Sequence, residues 1–201
     1  SIAGGVENAL LDAVKVGASA DQIFVKNNNR WKGAPLQDSN VTKFKEIRAR
    51  IGIEKRHVVA HSGYLINLAG TKPDVTAKSL ISLEDELARC HRLEVSGLVM
   101  HPGSHLKTSV EEGIERLARS VRAILTRQSH NPTKILFETM VGAGSQIGGK
   151  FEHLKMILDA VDKPEQTGVC LDTCHVFSAG YELRTFEKYN QTMKEFDRII
   201  G

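Results

Sequence analysis

The sequence predicts an α/β protein built on a parallel sheet, and three observations predict it. Short apolar runs, rich in β-branched residues and not alternating, recur along the chain, as in strands covered by helices on their faces. Segments with apolar residues at helical spacing separate the runs. Four of the runs close on a residue that can bind a metal: Val58-Val59-Ala60-His61, Leu98-Val99-Met100-His101, Ile135-Leu136-Phe137-Glu138 and Val169-Cys170-Leu171-Asp172. These ends lie about 35 to 40 residues apart, room for a strand, a helix and two turns. In a parallel sheet all four would sit at one edge, where α/β proteins place their chemistry.

The elements follow in order. Val6, Leu10, Ala13 and Val14 mark a first helix that Gly17 ends, and Gln22-Ile23-Phe24-Val25 reads as a strand. Lys26 to Pro35 is a polar loop holding the one tryptophan, Trp31. Asp38 or Ser39 can cap a helix carrying Val41, Phe44, Ile47 and Ile51. After the His61 run, a helix from about Val75 to Leu93 puts Leu80, Leu83, Leu87 and Cys90 on one face. After the His101 run, Ser109 with Glu112 forms a capping box for a helix reaching Arg127. The Glu138 run leads into the glycine-rich stretch Val141 to Gly149, then a helix from Phe151 to Val161. The Asp172 run precedes a last helix, Thr185 to Ile200. The total is six helices and five strands. They suit an open doubly wound sheet or part of a (β/α)8 barrel, which has eight strands and typically about 250 residues. No GxGxxG follows a strand, which weakens the dinucleotide-binding version.

Composition fits one globular domain of 201 residues, 41% hydrophobic and 25% charged. No apolar run approaches the roughly 20 residues of a membrane span, and no signal-peptide pattern opens the chain. It begins without Met. A net charge of +3 permits a nucleic-acid partner without arguing for one. Cys90, Cys170 and Cys174 form no CxxC pair and read as thiols of a reducing compartment.

His61, His101, Glu138 and Asp172 are nitrogen and oxygen ligands that suit zinc, or manganese and iron less specifically. His175 can project from the turn after Asp172 toward the same cleft. His101-Pro102-Gly103-Ser104-His105 is a tight turn whose Pro and Gly expose His101; His105 either bonds within the loop or orients a ligand. His57, His91, His130 and His153 read as structural or solvated. The glycine-rich stretch is either a phosphate cradle or a flexible connection; without a P-loop lysine it offers no nucleotide site. Tyr64 and Leu65 either wedge into a duplex or roof the core. Lys26, Arg30 and Trp31 make a basic-aromatic loop at the ligand end of the sheet.

These residues resemble the endonuclease IV family, zinc-dependent abasic-site endonucleases of base excision repair. The resemblance rests on His61 with Tyr64-Leu65-Ile66-Asn67-Leu68, on His101-Pro102-Gly103-Ser104-His105-Leu106, and on Gly168-Val169-Cys170-Leu171-Asp172-Thr173-Cys174-His175 with Ala179-Gly180-Tyr181. Ser1-Ile2-Ala3-Gly4-Gly5 resembles the turn after the family's first strand. The implied fold is a (β/α)8 TIM barrel with three zinc ions at its mouth. By that likeness His61, His101 and Glu138 hold the first ion, Glu138 bridges to a second that Asp172 joins, and His175 binds the third. The implied reaction cuts the phosphodiester 5′ to an abasic sugar in double-stranded DNA, leaving a 3′-hydroxyl and a 5′-deoxyribose phosphate. By the same likeness Glu138 would be the catalytic bridging ligand, and Tyr64 and Leu65 would enter the minor groove to help flip the abasic nucleotide.

The resemblance also sets expectations about what is missing. Residues 1–201 form one partial barrel domain without the first strand and the last two strand–helix units. The first zinc site is then whole and the other two are not. The open sheet edges should favour weak stability or association, and the 201 residues alone should be inactive. The family's DNA-inserting arginine falls at Asn29, with Arg30 next to it as the substitute. Ser62 replaces an acid of some members, which nothing in the sequence explains. The complete protein is expected to be monomeric, cytoplasmic (or nuclear or mitochondrial in a eukaryote), with no membrane partner and no nucleotide cofactor. The alternatives are a metal-dependent sugar isomerase or epimerase of a related barrel, or a DNA-damage binding module without metal.

Overall fold

The computed structural model describes residues 2–201, so Ser1 of the opening turn lies outside the described residues. Strands β1 (Asp21–Phe24), β2 (Val58–His61), β3 (Gly97–Met100), β4 (Lys134–Glu138) and β5 (Thr167–Cys170) form one parallel sheet in sequential order. Helices α1 (Glu7–Lys15), α2 (Asp38–Arg50), α3 (Pro73–Leu93), α4 (Val110–Arg127), α5 (Phe151–Val161), α6 (Thr173–Ser178) and α7 (Phe186–Ile200) alternate with the strands. The sequence predicts six helices, and α6 is the addition. It is short, and Asp172, read as a strand end, caps it by accepting the His175 N–H at 2.8 Å. The strand itself stops at Cys170. Among the described residues no helix is long and apolar enough to cross a membrane.

The core lies between the sheet and its outer helices. Val58, Ala60, Leu98, Met100, Ile135 and Phe137 point outward and are almost fully buried. They meet the apolar stripes of α3 (Leu83, Leu87, Cys90), α4 (Leu117, Val121, Ile124) and α5 (Leu154, Ile157, Val161). Each such aliphatic side chain stabilises the fold by about 1.5–3 kcal/mol. The Ser109 half of the expected α4 capping box forms, Ser109 accepting the Glu112 N–H at 3.2 Å, while the Glu112 carboxylate turns to Arg116.

The alternate strand residues face the other way. Phe24, His61, Val99, Leu136 and Gly168 make one row across the sheet. Two residues further along their strands, His101 and Glu138 rise above it. Leu136 occupies space left by two glycines: a Cβ at Gly97 would come within 2.6 Å of Leu136 Cδ1, and one at Gly168 within 3.1 Å of its Cδ2. Gly97→Val is therefore expected to overpack this face and cost about 1–3 kcal/mol, read as a lower urea midpoint. A midpoint equal to the wild type would show that the inner face has room to spare.

Candidate metal centre

His61 ends β2 and is 8% exposed. Its Nδ1 lies 2.8 Å from the Ser62 carbonyl, which can only accept, so Nδ1 carries a proton and Nε2 is the ligand atom. That Nε2 is 2.9 Å from Glu138 Oε2, and His101 Nε2 is 3.0 Å from the same oxygen. Glu138 closes β4 and is 4% exposed. Across the carboxylate, His175 Nδ1 donates to the Thr139 carbonyl at 2.9 Å and lies 3.8 Å from both Glu138 Oε1 and Asp172 Oδ2. Thr139 also accepts the Asp172 N–H on Oγ1 at 2.8 Å, fixing the start of α6.

Two groups of donor atoms result, each within 4.8 Å: His61, His101 and Glu138, and Glu138, Asp172 and His175. Glu138 belongs to both. These residues fit divalent ions. The donor set is imidazole and carboxylate, and the outer nitrogen of His61 rests on a main-chain carbonyl, the support that metal-binding imidazoles carry. The resemblance gives Asp172 and His175 to different ions, whereas here both close on Glu138.

The site is charged in the metal-free chain. Burial alone would raise the Glu138 carboxyl, but hydrogen bonds from His101 and His61 hold it down to about 2. Burial works against a charged His61, yet the Glu138 hydrogen bond, with help from the Ser62 carbonyl, leaves its pKa raised. The His61 pKa thus lies above its ordinary value near 6.5, and a metal ion must displace that proton. Zinc affinity is therefore expected to fall as pH drops below this raised pKa and to level off above it. Glu138 stays ionised throughout. Calorimetry in buffers of different ionisation enthalpy should detect proton release at pH values below that raised pKa; no release there would contradict the displacement of a His61 proton.

The ligands line a cleft of about 370 Å3 together with Gln22, Phe24 and Tyr64. Tyr64 lies nearly parallel to His101 with ring centres 5.9 Å apart, and Phe24 meets both His61 and Tyr64 edge-on. Tyr64 is 54% and Leu65 39% exposed, so they do not roof the core. Arg30 is exposed too, but it borders a separate cavity of about 740 Å3 under the Lys26–Leu36 loop, not the ligand cleft. Lys26 is corrected most. It is 5% exposed, and its Nζ serves internal partners rather than a polyanion.

The glycine-rich stretch is neither a free connection nor an isolated cradle. Ile147 N–H donates to the Gly103 carbonyl at 2.9 Å, His105 N–H to the Ser145 carbonyl at 3.0 Å, and Met140 N–H to the Gly148 carbonyl at 2.9 Å. It clamps the turn that carries His101. His153 Nδ1 accepts the Gly148 N–H, which fits its structural reading. His105 Nδ1 is buried and makes no hydrogen bond among the described residues. Sequence reasoning missed Gln22, Phe24 and Thr139. The first two were legible as inward positions two apart on β1; Thr139, one residue past a ligand, carries no such signal.

Comparisons with known proteins identify the family and the fold. Residues 10–201 match the family model described as a xylose isomerase-like TIM barrel. Probable endonuclease 4 of Geotalea daltonii is 41% identical over 201 residues, covering all of this chain and 70% of the relative. Its counterpart in Chloroflexus aggregans is 38% identical with the same coverage. The crystal structure of endonuclease IV from Thermus thermophilus superposes with a TM-score of 0.83 at 33% identity, covering all of this chain and 70% of that one. A D-tagatose 3-epimerase-like protein shares the fold at a TM-score of 0.72 and 20% identity, over 93% of this chain and 68% of that one. The five-stranded parallel sheet is thus a partial TIM barrel, and the chain belongs to the endonuclease IV family.

Proposed function

We propose that this chain supplies the metal site of a zinc-dependent endonuclease that cuts the phosphodiester 5′ to abasic sites in duplex DNA. The observation that carries the reading is the pair of three-ligand groups sharing Glu138 in one cleft. His61, His101 and Glu138 would hold one ion, and Glu138, Asp172 and His175 a second. Bound there, the ions would lower the pKa of water and neutralise charge on the phosphate and the leaving oxygen. The chain's own residues do the rest. Glu138 stays ionised between the two groups, the Ser62 carbonyl keeps His61 in the ligating tautomer, and the Thr139 carbonyl fixes the His175 ring. Exposed Tyr64 and Leu65 offer an aromatic and an apolar surface to the gap at a missing base, where unstacking is easiest. Arg30, also exposed, offers a phosphate contact.

Working on DNA in a reducing compartment such as the cytoplasm fits the three free thiols. The 201 residues alone are expected to turn over slowly, because the second group has only two ligands, Asp172 and His175, that it does not share with the first. A sugar epimerase shares the barrel, but the exposed Tyr64 and Leu65 favour DNA.

The test is binding of the zinc-loaded chain to a labelled duplex with one abasic analogue and to the same intact duplex. The expected preference for the abasic duplex is at least about tenfold, or 1.4 kcal/mol. Equal affinity, with conversion of a ketohexose, would establish the epimerase instead. Preference retained by protein that binds no zinc would point to a metal-free damage-recognition module.

A further inference from the structure

Besides its apolar stripe, α3 carries a second, polar row: Ser82, Asp85, Glu86, Arg89 and Arg92, at helical spacing. Ser82, Glu86 and Arg89 are buried. Burying such groups disfavours folding unless they are paired, so their partners are informative. Some lie within the helix, Ser82 donating to Glu86 and Arg89 to Asp85, and Arg92 also pairs with Asp38 of α2; the others lie in the two loops beside the metal cleft. Lys26 Nζ sits 2.9 Å from Ser82 Oγ and 3.2 Å from both Asp85 and Glu86, and also reaches the Trp31 carbonyl at 3.1 Å. Glu86 Oε2 accepts the Gly63 N–H at 2.9 Å. Arg89 and Arg92 donate to the Ala34 and Leu36 carbonyls at 2.8 and 2.7 Å. The two loops also touch directly, Tyr64 N–H donating to the Asn28 carbonyl at 3.0 Å. Gly63 sits close enough that a Cβ there would be 3.3 Å from both the Asn28 carbonyl and Glu86.

We propose that the buried Lys26–Glu86 ion pair is a positioning element that couples the Arg30–Trp31 loop and the Tyr64–Leu65 loop, so that the cleft presents both to DNA as one preformed surface. The part about DNA rests on the function proposed above; the coupling of the loops does not. The hydrogen bonds of the pair go to the loops and to Ser82 and Asp85, not to the metal ligands. Ser62 N–H is held separately by the Val99 carbonyl of β3 at 2.8 Å, so His61 keeps its place without Glu86. Preformed loops lower the ordering cost of binding.

Removing one charge would leave the other buried and unpaired, so the test removes both. In the double variant Lys26→Met/Glu86→Leu, acrylamide quenching of Trp31, the one tryptophan, is expected to rise at least about twofold. Affinity for the abasic duplex should fall about tenfold while zinc affinity holds within about threefold. In Lys26→Met/Glu86→Gln, an acceptor for the Gly63 N–H returns. Gly63 amide exchange should then be slower than in the Leu version, while Trp31 stays quenchable. A folded Leu double variant with wild-type quenching and duplex affinity would overturn the proposal. So would equal Gly63 exchange in the two double variants. Should the wild-type chain show no abasic preference, the functional reading fails, and Trp31 quenching and Gly63 exchange still decide whether the pair couples the loops.

Discussion

Glu138→Ala is expected to remove both metal-binding groups in one step. Every other candidate ligand belongs to a single group: His61 and His101 to the first, Asp172 and His175 to the second. Glu138 belongs to both, and its Oε2 is the shared partner of two imidazole Nε2 atoms 2.9 and 3.0 Å away. Truncation leaves each group with two donors. It also removes the one ionised carboxylate held at the first group. Changes outside the ligand shell already cost 10- to 100-fold in affinity, so loss of this ligand should weaken zinc by more than about a hundredfold. His175→Ala should weaken only the second equivalent. Competition against a chromophoric chelator reads both. Two intact equivalents in Glu138→Ala would mean that the carboxylate is a hydrogen-bond partner of the histidines and no ligand.

Asn67→Ala should act more widely although Asn67 touches no ligand. Its Oδ1 accepts the Ala69 and Ser104 N–H groups, each at 3.1 Å, and its Nδ2 donates to the Ser104 carbonyl at 3.1 Å. The loop after β2 is thereby fastened to the turn that carries His101. Gly103 lies against it with φ +94°, and a Cβ there would stand 2.4 Å from Asn67 Oδ1. The Pro-Gly of this turn therefore answers to Asn67 as much as to the bend. Truncation strands main-chain groups that the Asn satisfied, at about 1–3 kcal/mol each where water cannot replace it. We expect a loss of about 2–4 kcal/mol in urea unfolding and a 10- to 100-fold weaker first zinc. A variant with both quantities at wild-type values would show that the glycine-rich clamp alone fixes His101.

Most of the fold was legible because its signals are local. The period-3.6 stripes of α3 and α4, the Ser109 cap and the ligand-ended runs of β2 to β4 each follow from nearby residues. Asp172 was legible as a ligand-type residue but not in its placement. An acid that ends a strand and an acid that caps a short helix look alike until the Asp172–His175 hydrogen bond is seen. Lys26 misled for a different reason. A lysine in a polar loop beside Trp31 looks like a phosphate contact, and only tertiary structure brings Ser82 and Glu86, more than fifty residues away in sequence, to its ammonium group. Glu86 itself left a trace, an acid beside the apolar stripe between Leu83 and Leu87. Nothing in the chain says which distant partner it serves. The carbonyls of Ser62 and Thr139 that orient the histidines belong to the backbone, which sequence patterns do not name.

Counting zinc on the purified wild-type chain, by equilibrium dialysis with elemental analysis at neutral pH, tests the central claim most directly. We expect one tight equivalent per chain that His101→Ala abolishes, and a second, weaker one that survives His101→Ala and is lost in His175→Ala. A chain that takes up no zinc, or one whose zinc is untouched by His101→Ala, would contradict the assignment of this cleft as a metal centre.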